Sequence, residues 1–300
     1  NIYHEKSVID LANIYTKFLS KAINNTPHFA NYFSSDRTAT TERNSTENLE
    51  EANARAIWAL SVAGTGDLPI EIKNEAANLF IKYYDKKEHT SSPRAAAFYI
   101  KALAIWLQSF PDENKKTLLK KYADYLLDLF NRSSASDWLW FEEALTYCNA
   151  ILPEALLFAY KITNDDTYFS AAKKSLDFLI SHSFEGDVCI PVGQGGWFKQ
   201  GNKKHIFDQQ PEEVSALVMT LKTMHEMTND PIYAEKAELA FNWFLGNNTL
   251  QQVVYYNATG GCYDGLGEKE INLNQGAEST IAYLLARLAI EKIIINLQKS

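Results

Sequence analysis

The sequence predicts an all-α chain built as an (α/α) toroid of about five to six helical hairpins, on three observations. Eleven of the thirteen glycines lie after residue 185, so the first half reads as long helices joined by short turns. One-sided and all-round apolar segments alternate. Residues 70–87 place Ile72, Ala76, Leu79, Phe80 and Tyr83 on one face and Lys73, Asn74, Asn78, Lys82 and Lys86 on the other, whereas 53–63 and 93–109 are apolar nearly all round. That alternation implies an inner ring of buried helices and an outer ring with one solvated face. Finally, Thr163-Asn164-Asp165 precedes Tyr168, Ala172, Leu176 and Phe178, and Thr228-Asn229-Asp230 precedes Tyr233, Ala237, Phe241 and Trp243, at a constant offset of 65 residues. A fixed period of this kind signals an array of hairpins, with the Asn-Asp pairs read as helix starts carrying N-cap chemistry.

In chain order the helices are expected at 3–24, 48–63, 70–87, 93–109, 113–131, 142–162, 166–182, 211–228, 232–246 and 275–297. Two glycine-rich stretches, 184–210 and 250–274, each hold a short β-like run and a turn, and each precedes an inner helix. Loops of this length in a helical domain are usually functional. A single domain is expected over 1–300, with 1–45 forming an atypical first hairpin.

Composition narrows the function classes. The chain has 300 residues, 46% of them hydrophobic, and a net charge of −8, which makes it a poor partner for nucleic acid or an anionic membrane. No apolar run approaches the ~18 residues of a membrane span. Cys148, Cys189 and Cys262 are odd in number and widely spaced. They form no disulfide framework, which favours a reducing, cytoplasmic compartment.

The candidate site lies at the N-terminal ends of the inner helices. These carry Glu50, Glu51, Asn53 and Arg55, then Trp138, Trp140, Glu142 and Glu143. Further along stand Asp208, Gln209, Gln210, Glu212 and Glu213, and last Asn274, Gln275 and Glu278. Carboxylates, amides and aromatic rings recurring at one level suit a carbohydrate: rings stack on sugar faces, amides and Arg hold hydroxyls, and paired carboxylates supply acid and base. Acidic residues at helix starts also serve the macrodipole, and Glu143, Glu212 and Glu213 are read that way. Glu142, Asp208, Asp264 and Glu278 sit in strings that capping does not require (WLWFEE, FDQQPEE, GGCYDGLG, NQGAEST) and are the candidate catalytic carboxylates. Trp140, Trp197 and Tyr263 are the candidate stacking rings, and His205 stands close enough to Asp208 to orient it.

Other chemistries lack their patterns. The six histidines show no HxxxH spacing and the cysteines no CxxC, so neither a metal nor another cofactor is expected. Gly193-Gln194-Gly195-Gly196 has no P-loop Lys-Ser/Thr, and no GxSxG elbow appears.

The strings LEEANARAIWAL (49–60), WLWFEEALTYCNAILPEALL (138–157), FDQQPEEVSA (207–216), TGGCYDGL (259–266) and NLNQGAESTIAYLLA (272–286) resemble α/α-toroid proteins of the six-hairpin glycosidase-like superfamily. This group lies in the neighbourhood of N-acylglucosamine 2-epimerase, and its members are often encoded beside or fused to glycosyltransferases and β-mannoside phosphorylases. The match spans roughly 45–290. It implies a toroid that binds or acts on saccharide, with a glycosyltransferase as a further partner. By position it marks Glu51 and Arg55; Glu142, Tyr147 and Asn149; Asp208, Gln209 and Gln210; Tyr263 and Asp264; and Asn274, Gln275 and Glu278. The chain departs from the pattern at Cys148, where the family carries Asp.

The leading expectation is a glycoside hydrolase-like enzyme. Asp208 or Glu142 would be one member of the acid/base pair and Asp264 or Glu278 the other. A saccharide-binding module without turnover is the alternative that Cys148 favours. A sugar epimerase or isomerase would want two opposed bases, and only His205 stands near the site.

Overall fold

The computed structural model describes residues 5–23, 28–84 and 89–298; the expected helix ends at 3, 4, 24 and 85–87 lie outside these. Eleven helices are described: α1 (Lys6–Ala22), α2 (Thr41–Thr46), α3 (Glu50–Thr65), α4 (Ile70–Tyr84), α5 (Pro93–Ser109), α6 (Glu113–Ser133), α7 (Ile151–Thr163), α8 (Asp166–Ser183), α9 (Pro211–Thr228), α10 (Pro231–Asn242) and α11 (Ala277–Leu297). Contacts divide the chain into two compact units, Asn1–Leu126 with Phe158–Asp166, and Leu127–Leu157 with Thr167–Ser300.

In the first unit α3 packs against α4 and α5, and α1 against α4 and α3. The apolar sequence of α5 is buried around nearly its whole circumference, from Arg94 through Leu107, while α4 buries the stripe Ile72, Ala76, Phe80 and Tyr83. Phe80 stacks on Trp106 at 4.3 Å. Gly64 lets α3 approach α4 closely, since a Cβ there would lie 3.3 Å from the Ala77 backbone. Helix α5 starts because Ser92 caps it, accepting the Ala95 N–H at 3.2 Å, and Pro93 needs no donor in the first turn. Residues 28–40, ahead of α2, form no helix. The Asn44 side chain accepts the Asn31 and Tyr32 N–H groups at 2.8 and 3.0 Å and so holds α2 onto the preceding segment.

In the second unit α9 packs on both α10 and α11; fully buried Phe244 meets Phe241 of α10 and Tyr283 of α11, and fully buried Trp140 meets Phe178 of α8. The Thr-Asn-Asp triplets prove to be two-part turns. Asn164 and Asn229 are left-handed (φ 56° and 55°) and end the preceding helix by donating to Tyr160 and His225 carbonyls, both at 2.8 Å. Asp230 then caps α10 by accepting the Ile232 N–H at 3.0 Å. The Asn is thus a helix stop and only the Asp a start.

One expected helix begins late. Residues 142–150 fold as a short strand, β1 (Ala144–Leu145), and a turn, and α7 starts at Ile151. Cys148 is left-handed at φ 47°, a backbone state that a helix interior excludes. The glycine-rich stretches contain the expected short strands: β2 (Phe184–Glu185) with β3 (Val188–Cys189), β4 (Phe198–Lys199) with β1, β5 (Tyr255–Tyr256) with β6 (Gly261–Cys262), and β7 (Gly265–Leu266) with β8 (Ile271–Asn272). Among the described residues no helix is long and apolar enough to cross a membrane, and no three His, Cys, Asp or Glu side chains are grouped to hold a metal ion.

Candidate functional site

The second unit brings its two glycine-rich stretches together at the helix starts. Gln209 and Leu266 exchange backbone hydrogen bonds of 2.9 and 3.0 Å. This bridge lies two residues before α9, and Asp264, two residues from Leu266, binds the first turn of α11. The starts of α9 and α11 therefore lie at one end of the unit. The bridge needs Gly265, whose φ is +154° and where a Cβ would lie 2.4 Å from the Gln209 carbonyl oxygen.

The segment 193–208 folds back on itself. Gly193 donates to the His205 carbonyl at 2.7 Å, His205 to the Trp197 carbonyl at 3.1 Å and Gln194 to the Asp208 carbonyl at 3.1 Å. A Cβ on Gly193 would lie 1.9 Å from the Phe207 carbonyl oxygen, and one on Gly196 would lie 2.5 Å from the His205 ring. Gly193→Ala is expected to force this segment open. Limited proteolysis should then cut within 193–208 in the variant and spare the wild type; equal resistance would show that the contact is dispensable. The fold-back presents Asp208 exposed, at φ 58°, with its Oδ2 against Gly195, and Asp208 makes no side-chain hydrogen bond among the described residues. Trp197 is also left-handed, at φ 61°, which for a bulky aromatic is a marked outlier. Lys204 fastens the segment, its Nζ donating to the His182 and Ile190 carbonyls at 2.7 and 2.9 Å. Burial of this ammonium pulls its pKa below the usual lysine value.

Pairing of β1 with β4 places Leu145 opposite Phe198 and sets the Tyr147 ring 6.4 Å from that of Trp197. Tyr147 is exposed, and a second ring pair, Tyr256 with half-buried Tyr263, is stacked at 5.8 Å.

Asp264 works chiefly as an anchor. Its carboxylate accepts the Gly276 N–H at 2.8 Å, the Ser279 hydroxyl at 2.7 Å and the Asn274 amide. Partial burial pushes this carboxyl up, but the bonds from Ser279, Asn274 and Gly276 outweigh it and hold the pKa below the usual carboxylate range. The sign follows from that direction. Because the folded pKa is depressed, Asp264 stabilises the fold fully above its unfolded value of about 3.9 and loses that contribution as pH falls through the lower folded value. In Asp264→Asn the acid limb of a melting-temperature profile should therefore be flatter than in wild type, with a lower melting temperature at neutral pH. Superimposable profiles would remove Asp264 from this role.

Several expected ligand contacts are instead internal. Trp140 is fully buried, against Phe141 and Phe178 at 5.3 and 6.4 Å, so it is a core ring and not a stacking platform. Gln209 is fully buried and accepts the Trp243 indole N–H at 2.7 Å. Asn149 is also fully buried and gives its backbone N–H and its amide to Glu213, at 3.0 and 2.8 Å. Glu213, read from sequence as a solvated dipole partner, is thus the buried clamp between β1–α7 and α9. Glu142 is half-buried, its carbonyl receiving the Trp138 indole at 2.8 Å. Gln210 is half-buried, with its Nε2 3.3 Å from the position of a Cβ on Gly265. Gln275 is exposed and accepts the Thr259 hydroxyl at 2.9 Å, and Glu278 is exposed in the first turn of α11.

In the first unit Glu51 and Arg55 form an ion pair at 2.8 Å on α3. The Arg55 guanidinium lies 4.4 Å over the Phe98 ring.

No family model matches the chain, and no curated protein matches it in sequence. Solved structures do match over nearly its whole length. A sugar epimerase from a ruminal bacterium superposes with a TM-score of 0.65 at 13% identity, over 97% of this chain and 86% of that one. A D-mannose isomerase gives 0.64 at 18% identity, over 98% and 84%. The GH76 α-mannanase of Bacteroides thetaiotaomicron gives 0.62 at 11% identity, over 96% and 97%. The chain has the α/α-toroid fold shared by six-hairpin glycosidase-like enzymes and sugar 2-epimerases.

Proposed function

We propose that this protein is carbohydrate-active and that the second unit holds the saccharide between the ring pair of exposed Tyr147 and half-buried Trp197 and the Asp208 carboxylate. The observation that carries this reading is the pair of left-handed residues, Trp197 and Asp208, on one folded-back segment. Each such backbone state costs roughly 1–3 kcal/mol, and strain of this kind clusters where it presents a functional group. Here it holds a half-buried aromatic ring beside exposed Tyr147 and presents a carboxylate to solvent, with the His205 imidazole braced against Gly196. The folds of the mannanase, the isomerase and the epimerase support a sugar as the ligand class.

Asp208 would act as acid or base on a glycosidic bond with a second carboxyl from Glu142, Asp264 or Glu278. A separation of ~6.5–9.5 Å would give inversion and ~5 Å retention. The binding-only reading draws on Asp264, whose carboxylate is already occupied by three hydrogen bonds, and on buried Cys148. The test is a screen of glycans read by thermal shift and by product chromatography. Stabilisation with release of a shorter sugar supports the hydrolase. Stabilisation without any new product supports the binding module, and a product of unchanged mass supports an isomerase or epimerase. No stabilisation by any glycan would overturn the reading.

A further inference from the structure

We infer that Trp243 is a positioning residue for Asp208, acting through the buried amide of Gln209. This rests on the reading above of Asp208 as a reacting carboxyl. Gln209 joins the segment that carries Asp208 to the turn that follows α10. Its Oε1 accepts the Trp243 indole N–H at 2.7 Å, and its Nε2 donates to the Ile206 carbonyl at 2.8 Å and to the Thr249 hydroxyl at 3.1 Å. Its backbone exchanges two further bonds with Leu266, at 2.9 and 3.0 Å. Every polar atom of this fully buried residue thus has a partner.

The bond to Ile206 closes a small loop of chain around Phe207 and Asp208. It fixes the backbone two residues before Asp208, and the Leu266 bridge fixes it one residue after. Gln194 donates to the carbonyl of Asp208 itself at 3.1 Å. Asp208 is left-handed at φ 58°, a state that persists only where the surroundings over-determine it. The indole of Trp243 sets how the loop closes. An indole N–H can only donate and a backbone carbonyl can only accept. The Gln209 amide therefore has one orientation that serves both, oxygen toward Trp243 and nitrogen toward Ile206. Remove the indole N–H and the amide oxygen becomes a buried acceptor that has lost its donor.

The turn that supplies Trp243 has its own bonds, independent of Gln209. Trp243 opens a 3₁₀ turn, Trp243–Leu245, and is fully buried, with its ring edge-on to Phe244 at 5.2 Å. Asn248, also buried, donates its amide to the Trp243 and Gln252 carbonyls, each at 2.7 Å, and accepts the Leu250 N–H at 3.1 Å. Trp243 and Thr249 are thereby held as two walls of one socket for the Gln209 amide. The contrast is Trp140, equally buried in the same unit, whose indole N–H meets no acceptor among the described residues. One indole fills space; the other also holds the segment that carries the carboxylate.

Hydrogen exchange and turnover are measured on wild type, Trp243→Phe, Trp140→Phe, Asp208→Asn and the Asp208→Asn/Trp243→Phe double variant. In Trp243→Phe the backbone amides of Gln194, Gln209 and Leu266 should exchange about tenfold faster, with α9 and α11 unchanged. Trp140→Phe removes an indole N–H that holds nothing and should leave these three amides at the wild-type rate. Turnover is followed on the 4-nitrophenyl α- and β-glycosides of D-glucose, D-mannose and D-galactose, and on cellohexaose and β-1,4-mannohexaose. Trp243→Phe should lower kcat about tenfold and leave KM within about twofold. In the Asp208→Asn background it should cost nothing further. Unchanged exchange at the three amides, or faster exchange spread evenly over α9 and α11, overturns the positioning role, as do kcat losses that add in the double variant. Wild type that releases no product from any of these sugars overturns Asp208 as acid or base on them, and exchange alone then decides whether Trp243 holds the segment.

Discussion

Asp208→Asn is expected to lower turnover of a cleaved glycan by roughly 10²–10⁴-fold while leaving binding and stability nearly intact. The substitution keeps the size and planarity of the side chain and removes only its ability to carry or deliver a proton. It also keeps the backbone, since Asn tolerates the left-handed conformation that Asp208 adopts at φ 58° at least as well as Asp does. Asp208 makes no side-chain hydrogen bond among the described residues, so no internal partner is orphaned by the change. A glycan at about a hundred times its dissociation constant should raise the melting temperature of both proteins by roughly 5 °C. Rate and binding are thus separated within one variant. Turnover at the wild-type rate would remove Asp208 from the chemistry. Loss of the glycan-induced shift together with turnover would make Asp208 a ligand contact and not a reacting group.

The helical frame was readable because helices announce themselves locally. The apolar periodicity of α4 and α5, the glycine distribution and the Thr-Asn-Asp repeat all report on neighbours within one or two turns. The failures have a common physical origin in contacts distant in sequence. The string WFEEALTYCNA holds no Gly or Pro to mark a break, so nothing local to it announces a strand and a turn. It is diverted into a strand and a turn by pairing with Phe198–Lys199, some fifty residues on, and by the clamp from Glu213. Trp140 and Asn149 were misplaced for the same reason. Their residue types suit a sugar site, and only the packing of Phe178 and Glu213 onto them shows that they face inward.

Asp208 and Trp197 stand out by other signals, Asp208 by the string FDQQPEE ahead of a helix and Trp197 by the glycines beside it. At Gly193 and Gly196 backbone or ring approaches too closely for a Cβ, so the string GQGGWF, which by sequence reads only as an open glycine-rich loop, is a tight fold-back in the structure. Asp264 illustrates a limit of residue type as evidence. A carboxylate two residues from a glycine-rich bridge reads equally well as a catalyst or a cap, and only its three hydrogen bonds show how far the capping role occupies it.

The second large effect concerns Glu213, where stability and site geometry meet. Its carboxylate accepts two hydrogen bonds from Asn149, at 3.0 and 2.8 Å, and both residues are buried. Asn149 in turn holds the turn before α7 by accepting the Thr146 N–H and donating to the Thr146 carbonyl, each at 2.9 Å. That turn contains the left-handed Cys148 and carries Tyr147. Glu213→Ala leaves two buried donors of Asn149 without an acceptor, at about 1–3 kcal/mol each, and opens a cavity besides. A loss of about 4 kcal/mol is expected, or roughly 10 °C in melting temperature. Glu213→Gln should fall between, because its amide oxygen satisfies one donor and its NH₂ group confronts the other. Asn149→Ala added to Glu213→Ala should cost far less than Asn149→Ala alone, since the partners act as one unit. Denaturant unfolding of the four proteins measures the coupling. Additive losses would mean that Asn149 and Glu213 are stabilised separately. Non-additive losses accompanied by weaker glycan binding would tie the position of Tyr147, and with it the first ring pair, to a glutamate that never touches the ligand.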